Sequence, residues 1–187
     1  MAPSPACRHP SFRLGRRSRL GRPAAIGPVE TENGLVIQEL VSGGQTGVDR
    51  AALDLALELG IPCGGWCPRG RRAADGPLPA RYPLRETQSA DYSERTRLNV
   101  RDSDGTLILC AGPLSGGTAY TADFAARLGR PLRIVDPRRR AELQAVRQWL
   151  QDERVSRLNL AGPREQEQPG IYWLAHHWLS DLLGAEN

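Results

Sequence analysis

From Val36 to Leu59 the chain reads VIQELVSGGQTGVDRAALDLALEL, an order of residues that few folds accommodate. An apolar, β-branched run suits a strand. It ends in Gly43-Gly44-Gln45-Thr46-Gly47, and apolar residues then recur at Val48, Ala51, Ala52, Leu55, Ala56 and Leu59. That spacing predicts an amphipathic helix, which Gly60 and Pro62 close. Strand, glycine turn and helix in this order bring backbone N–H groups and the positive end of a helix to one point, where an anion can bind. A plain βα turn accounts for the same residues with Thr46 as N-cap and Asp49 as its capping-box partner. Three glycines in five residues favour the ligand, because glycine lets a bound group approach the backbone closely.

The unit recurs further on. Thr106 to Cys110 (TLILC) is a short continuous apolar run, as expected of a buried parallel strand. Ala111 to Thr118 forms a second glycine-rich loop, and a helix carrying Ala119, Ala122, Ala125, Ala126 and Leu128 follows, ended by Gly129 and Pro131. Between the two units, Ile61 to Trp66 predicts a short strand and Asp91 to Ser103 a helix. The proline-punctuated stretch between those two predicts a long loop, with Arg69, Arg71 and Arg72 at its start. Those arginines fit either a solvated charge run or a lid that meets an anionic ligand. Strands follow at Leu132 to Val135 and Arg157 to Ala161, and helices at Ala141 to Glu153 and Ile171 to Leu183. His176 and His177 are adjacent on the last helix and diverge by about 100°, which suits a surface or subunit contact better than a shared metal. A homo-oligomer is therefore left open.

Five strands alternating with helices predict an α/β fold, a parallel sheet with helices on both faces. The simplest strand order is 2-1-3-4-5. It places both glycine loops across the switch point, with Arg164 on the same edge.

Charge and composition narrow the function. The net charge of +4 comes from the first 30 residues, which hold six Arg and one Glu. Residues 31–187 hold nineteen Arg against twenty acidic groups, so the folded part lacks the basic face that nucleic acid requires. Lysine is absent, which excludes a Walker lysine, a Schiff base and a lysine general base. Cys63 and Cys67 are spaced C-x3-C with no second pair nearby, which argues against zinc; no metal site is expected. Free thiols suit a reduced, cytoplasmic protein. No apolar run approaches membrane-spanning length. Residues 1–33 are rich in Arg, Pro, Ser and Gly and predict a disordered tail or a start placed too far upstream; residues 34–187 form one domain.

The segments SGGQTGVDRAALD, GGWCPRGRRAADG, DYSERTRLNVRDSDGTLIL, LSGGTA and LNLAGPRE resemble motifs of the putative molybdenum carrier family. That family is the circularly permuted, YpsA-related branch of the SLOG superfamily of Rossmann-like proteins. The resemblance runs from about Val36 to Leu183. It implies a three-layer α/β/α Rossmann-like fold that binds a nucleotide or a phosphorylated, nucleotide-like ligand, with the molybdenum cofactor as one candidate. By position, Gly43, Gly44, Gln45, Thr46, Gly47, Asp49 and Arg50 belong to the first loop, and Ser115, Gly116, Gly117 and Thr118 to the second. Arg69 and Arg164 are further ligand-binding candidates. The alternative is an enzyme like the superfamily's nucleoside-monophosphate phosphoribohydrolases, which cleave the N-glycosidic bond with a Glu after a GGxGT segment. Here Gly116-Gly117-Thr118-Ala119 lacks that pattern, no Glu stands in the first helical turns after it, and Asp49 and Asp123 are the weak catalytic candidates. A binding or carrier protein is the favoured expectation.

Overall fold

The computed structural model describes residues 29–30 and 34–184. Most of the expected tail lies outside the described residues. Val29–Glu30, inside the stretch expected as tail, pairs antiparallel with Val36–Ile37. The central sheet contains β1 (Glu39–Val41), β2 (Cys63–Gly64), β3 (Gly105–Leu109), β4 (Leu132–Val135) and β5 (Arg157–Ala161). Its helices are α1 (Val48–Leu59), α2 (Tyr92–Arg101), α3 (Gly116–Arg127), α4 (Leu143–Asp152) and α5 (Ile171–Leu183). No helix among the described residues is long and apolar enough to cross a membrane.

All pairings in the sheet are parallel, and the order is β2-β1-β5-β3-β4. This corrects the expected 2-1-3-4-5, because β5 inserts between β1 and β3. Burial explains the placement. Leu158 and Leu160 are fully buried, and Asn159 sits between them donating to Thr106 Oγ1 of β3 at 3.2 Å. A strand buried on both faces belongs in the middle of a parallel sheet. In β4, by contrast, Arg133 is half-buried and Ile134 exposed, a composition that suits an edge.

Helices α1, α4 and α5 cover one face. Val48, Ala52, Leu55, Val146, Leu150, Ile171 and Trp178 meet Leu107 and Leu109 there in the main core. Removing the fully buried Trp178 side chain would cost about 3–5 kcal/mol. Helices α2 and α3 pack together on the other side, where Ala122 joins Ile108 and Cys110. The result is the three-layer arrangement.

The long loop holds more structure than its prolines suggest. Trp66–Cys67 pairs with Arg85–Glu86, and Arg72–Ala73 with Gly76–Pro77. Leu78, Tyr82 and Leu84 pack on Leu53 of α1 as a small core of their own. Arg71 organises it: its guanidinium donates to the carbonyls of Leu78, Leu84, Pro79 and Tyr82 at 2.9–3.1 Å. Arg71 is thus neither a solvated charge nor part of a lid. It gathers four carbonyls of the irregular backbone, two of which, those of Pro79 and Tyr82, also accept from backbone N–H groups. The thiols of Cys63, Cys67 and Cys110 are free. Burial, aided by nearby Glu39, pushes Cys63 up to about 11.

Candidate ligand-binding site

Ligands of open parallel sheets bind beyond the carboxyl ends of the strands, where the order reverses. With β5 inside the sheet, that reversal lies between β5 and β3 rather than between β1 and β3. A cavity of about 180 Å³ opens there. Gln45 and Asp49 reach it from the β1–α1 turn, Tyr92, Arg95 and Thr96 from α2, and Gly117, Thr118 and Thr121 from α3. Gly162 and Arg164 enter from the loop after β5.

Asp49 anchors the wall. Its Oδ2 accepts from the Gln45 N–H at 3.3 Å and from Arg95 Nη1 at 3.0 Å. Burial raises its carboxyl above the usual range, against the opposing pull of Arg95. The expected Thr46 cap does not form: Gly47 is the N-cap of α1, without a side-chain hydrogen bond, and Asp49 reaches back to Gln45 instead. Thr46 Oγ1 donates to Gln166 Oε1 at 2.9 Å, tying the first loop to the loop after β5.

Gln45 is buried, and its side-chain oxygen accepts from the N–H groups of Thr46 and Ala74 at 3.0 and 2.8 Å. Those two bonds fix which end of the amide is oxygen. The amide nitrogen then lies buried with no protein partner, as does Nε of Arg95. A buried donor without a partner costs about 1–3 kcal/mol, and both of these belong to residues that line the cavity. Arg164 stands over the Tyr92 ring at 5.4 Å and forms a loose pair with Glu167 at 3.9 Å. The first turn of α3 adds the positive end of a helix. The site therefore offers donors to an acceptor-rich group, and both of its carboxylates are already engaged, Asp49 by Arg95 and Glu167 by the backbone N–H and side chain of Arg164.

Of the residues singled out in the sequence, Gln45, Asp49, Gly117, Thr118 and Arg164 come together here. The others do not line it. Gly43 makes room for Arg95: a Cβ on it would fall 1.7 Å from Nη1. Gly44, at φ +75°, packs on Leu84 and Leu78, and Gly47, at φ +79°, on the carbonyl of Pro163. Arg50 turns away to pair with Asp75 at 3.0 Å. Arg69 is exposed and away from the cavity. Ser115 is the N-cap of α3 and Gly116 its first residue, both exposed beside the cavity wall. Asp123 is exposed on α3 and does not line the cavity. Arg95, Tyr92, Thr96, Thr121 and Gly162 were not singled out as site residues. The mixed face shared by Tyr92, Arg95, Thr96 and Asn99 was the available signal, since a helix on a sheet is expected to bury an apolar stripe. Among the described residues no group of three or more His, Cys, Asp or Glu could hold a metal ion.

Comparison with known proteins agrees with this fold. No curated protein matches the chain. A crystal structure titled putative molybdenum carrier protein, from Syntrophus aciditrophicus, is 43% identical and superposes with a TM-score of 0.77, covering 79% of this chain and 96% of that one. Residues 40–183 match the family described as Circularly permutated YpsA SLOG. The sheet displays such a permutation: counted from β5 as the first strand, its order becomes 3-2-1-4-5, the doubly wound Rossmann order. The chain belongs to the circularly permutated YpsA family of SLOG proteins.

Proposed function

We propose that this protein binds a small phosphorylated, nucleotide-like ligand, with the ligand's oxyanion in the cavity between β5 and β3. The observation that carries this reading is the pair of buried, unpartnered donors, the Gln45 amide nitrogen and Arg95 Nε, at a cavity that Arg164 also lines. Hydrogen bonds from charged groups to an oxyanion are short and strong, and an arginine fork suits a tetrahedral anion. The relative from Syntrophus aciditrophicus carries molybdenum in its title. Molybdate is a tetrahedral oxyanion and molybdopterin ends in a phosphate, so the same donors fit either. The donor set supports recognition through oxygen atoms rather than direct ligation of the metal. A carrier or sensor role fits better than N-glycosidic hydrolysis, because Asp123 does not line the cavity and Asp49 is held by Arg95 and the backbone of Gln45.

A thermal-shift series with inorganic phosphate, molybdate, nucleoside monophosphates and molybdopterin tests the reading. At a hundredfold excess over its dissociation constant a ligand adds about 2.7 kcal/mol, or roughly 5–10 °C for a chain of this size. Arg164→Gln removes a charged donor and is expected to weaken the response by about tenfold or more. If no oxyanion stabilises the protein, or if Arg164→Gln responds as the wild type does, the reading fails. Release of free base from nucleoside monophosphates, abolished by Asp49→Asn, would make it an enzyme.

A further inference from the structure

A second cavity, of about 390 Å³, lies on the other side of the first glycine loop, and nothing in the reading above uses it. Thr46 and Gly47 form its floor, Arg50 and Asp54 of α1 one wall, and Tyr172 and Trp173 of α5 the other. The hydrogen bond from Thr46 to Gln166 joins the two loops that separate it from the first cavity.

Its aromatic side is both exposed and held in place. Trp173 is 61% exposed, although an indole left in water forgoes the burial that usually makes tryptophan worthwhile. Tyr172 meets it edge-on at 5.0 Å. Asp54 fixes the tyrosines behind it, accepting from Tyr82 Oη at 2.7 Å and from Tyr172 Oη at 2.9 Å. Both guanidiniums that line the cavity are committed: Arg50 and Arg81 stand over the Tyr82 ring, and each pairs with an aspartate.

Three carboxylates, Asp54, Asp75 and Glu165, line this cavity against those two guanidiniums, so it does not favour an anion. Asp75 is the accessible acceptor, with its side chain 47% exposed. The hydrogen bond from Arg50 holds its carboxyl below the usual range and keeps it ionised. Both Asp75 oxygens accept from Arg50, at 3.0 and 3.1 Å, and each keeps a second lone pair; an exposed indole and this carboxylate lining one cavity suit a flat ring that bears amino groups. The ring stacks on the indole, and its N–H groups point to the carboxylate.

We propose that this cavity is a second ligand site, specific for a planar, amino-bearing heteroaromatic ring that stacks on Trp173 and donates to Asp75. It does not depend on what the first cavity binds. Titration calorimetry of the full chain with adenosine, and with inosine, which lacks the exocyclic amine, tests it. Adenosine is expected to bind more tightly than inosine. Trp173→Leu, a change at an exposed position, is expected to weaken adenosine by about 5- to 150-fold, the range spanned by stacking of a base on an aromatic side chain. Asp75→Asn should erase the preference for adenosine. The proposal is overturned if adenosine does not bind, or if Trp173→Leu leaves its affinity unchanged. Weakening by Arg164→Gln and not by Trp173→Leu would place the ring in the first cavity, overturning this proposal while supporting the first. Loss of self-association in Trp173→Leu with no change in adenosine binding would instead assign the indole to a contact between copies.

Discussion

Around the loop after β1, a Cβ on Gly43 would fall 1.7 Å from Arg95 Nη1, on Gly44 2.6 Å from Leu84 Cδ1 and on Gly47 2.4 Å from the Pro163 carbonyl. At the start of α3, a Cβ on Gly116 or Gly117 would meet nothing within 4 Å. The two loops are both rich in glycine and have opposite surroundings. In the first, glycine admits the protein's own groups: a guanidinium, two leucines and a neighbouring backbone. In the second, glycine leaves open space beside a cavity. Glycine content alone therefore does not mark a phosphate cradle; what stands opposite each missing side chain does.

The largest expected effect comes from Arg95, which threads past Gly43 to Asp49. Arg95→Ala leaves a buried carboxylate without its partner, a loss of about 3–5 kcal/mol at neutral pH. Burial already raises Asp49 above its ordinary 3.8, and without Arg95 it rises further. A carboxyl with a raised folded pKa supports the fold in its protonated form, fully below the unfolded value, and that support is lost as the pH rises through the folded pKa. The deficit of Arg95→Ala should therefore narrow as the pH falls from 7 toward 4. Denaturant melts at both ends of that range check it; an equal deficit at each would mean that the ion pair is not what holds this loop.

A smaller effect is expected from Gly47→Ala. Its φ of +79° alone costs an L-residue about 1–3 kcal/mol, and the approach to the Pro163 carbonyl adds to that. Gly60 sharpens the comparison, because it has φ +68° and nothing within 4 Å. The melting temperature should fall more for Gly47→Ala than for Gly60→Ala. Equal losses would remove the packing role assigned to the first loop, the more so because Gly47 (ψ −131°) is also more strained for an L-residue than Gly60 in the left-handed helical region (ψ 19°).

The alternation of strands and helices, the covered sheet and both glycine loops were legible from hydrophobic period and turn residues. The position of β5 was not, because sequence order is a poor guide to neighbours in a permuted chain. The RLNLA segment, buried from Leu158 to Ala161, set against the exposed Ile134 in LRIV, held the clue. The site was legible in part for the same reason. Arg164 was placed on the right edge, but Arg95 was not singled out, and only the mixed character of its helix face could have pointed to it. The role of Arg71, four carbonyls from one side chain, depends on a loop conformation that no periodicity encodes.

The smallest effect on stability is expected where the second loop stands open. Gly117 sits in the first turn of α3 with space beyond it, so Gly117→Ala should leave the fold unchanged or stabilise it by up to about 0.5–1 kcal/mol, since alanine is less costly than glycine in a helix. That is at most a few degrees in melting temperature. The same methyl would project into the room beside the cavity and should reduce the stabilisation given by inorganic phosphate or molybdate, with Gly117→Val reducing it further. The two readouts then move apart: stability holds or rises while the oxyanion response falls. At Gly47 they should fall together, because a distorted first loop carries Gln45 with it. If Gly117→Ala lowers the melting temperature and leaves the oxyanion response intact, the contrast between the two loops is wrong, and the start of α3 serves packing rather than ligand access.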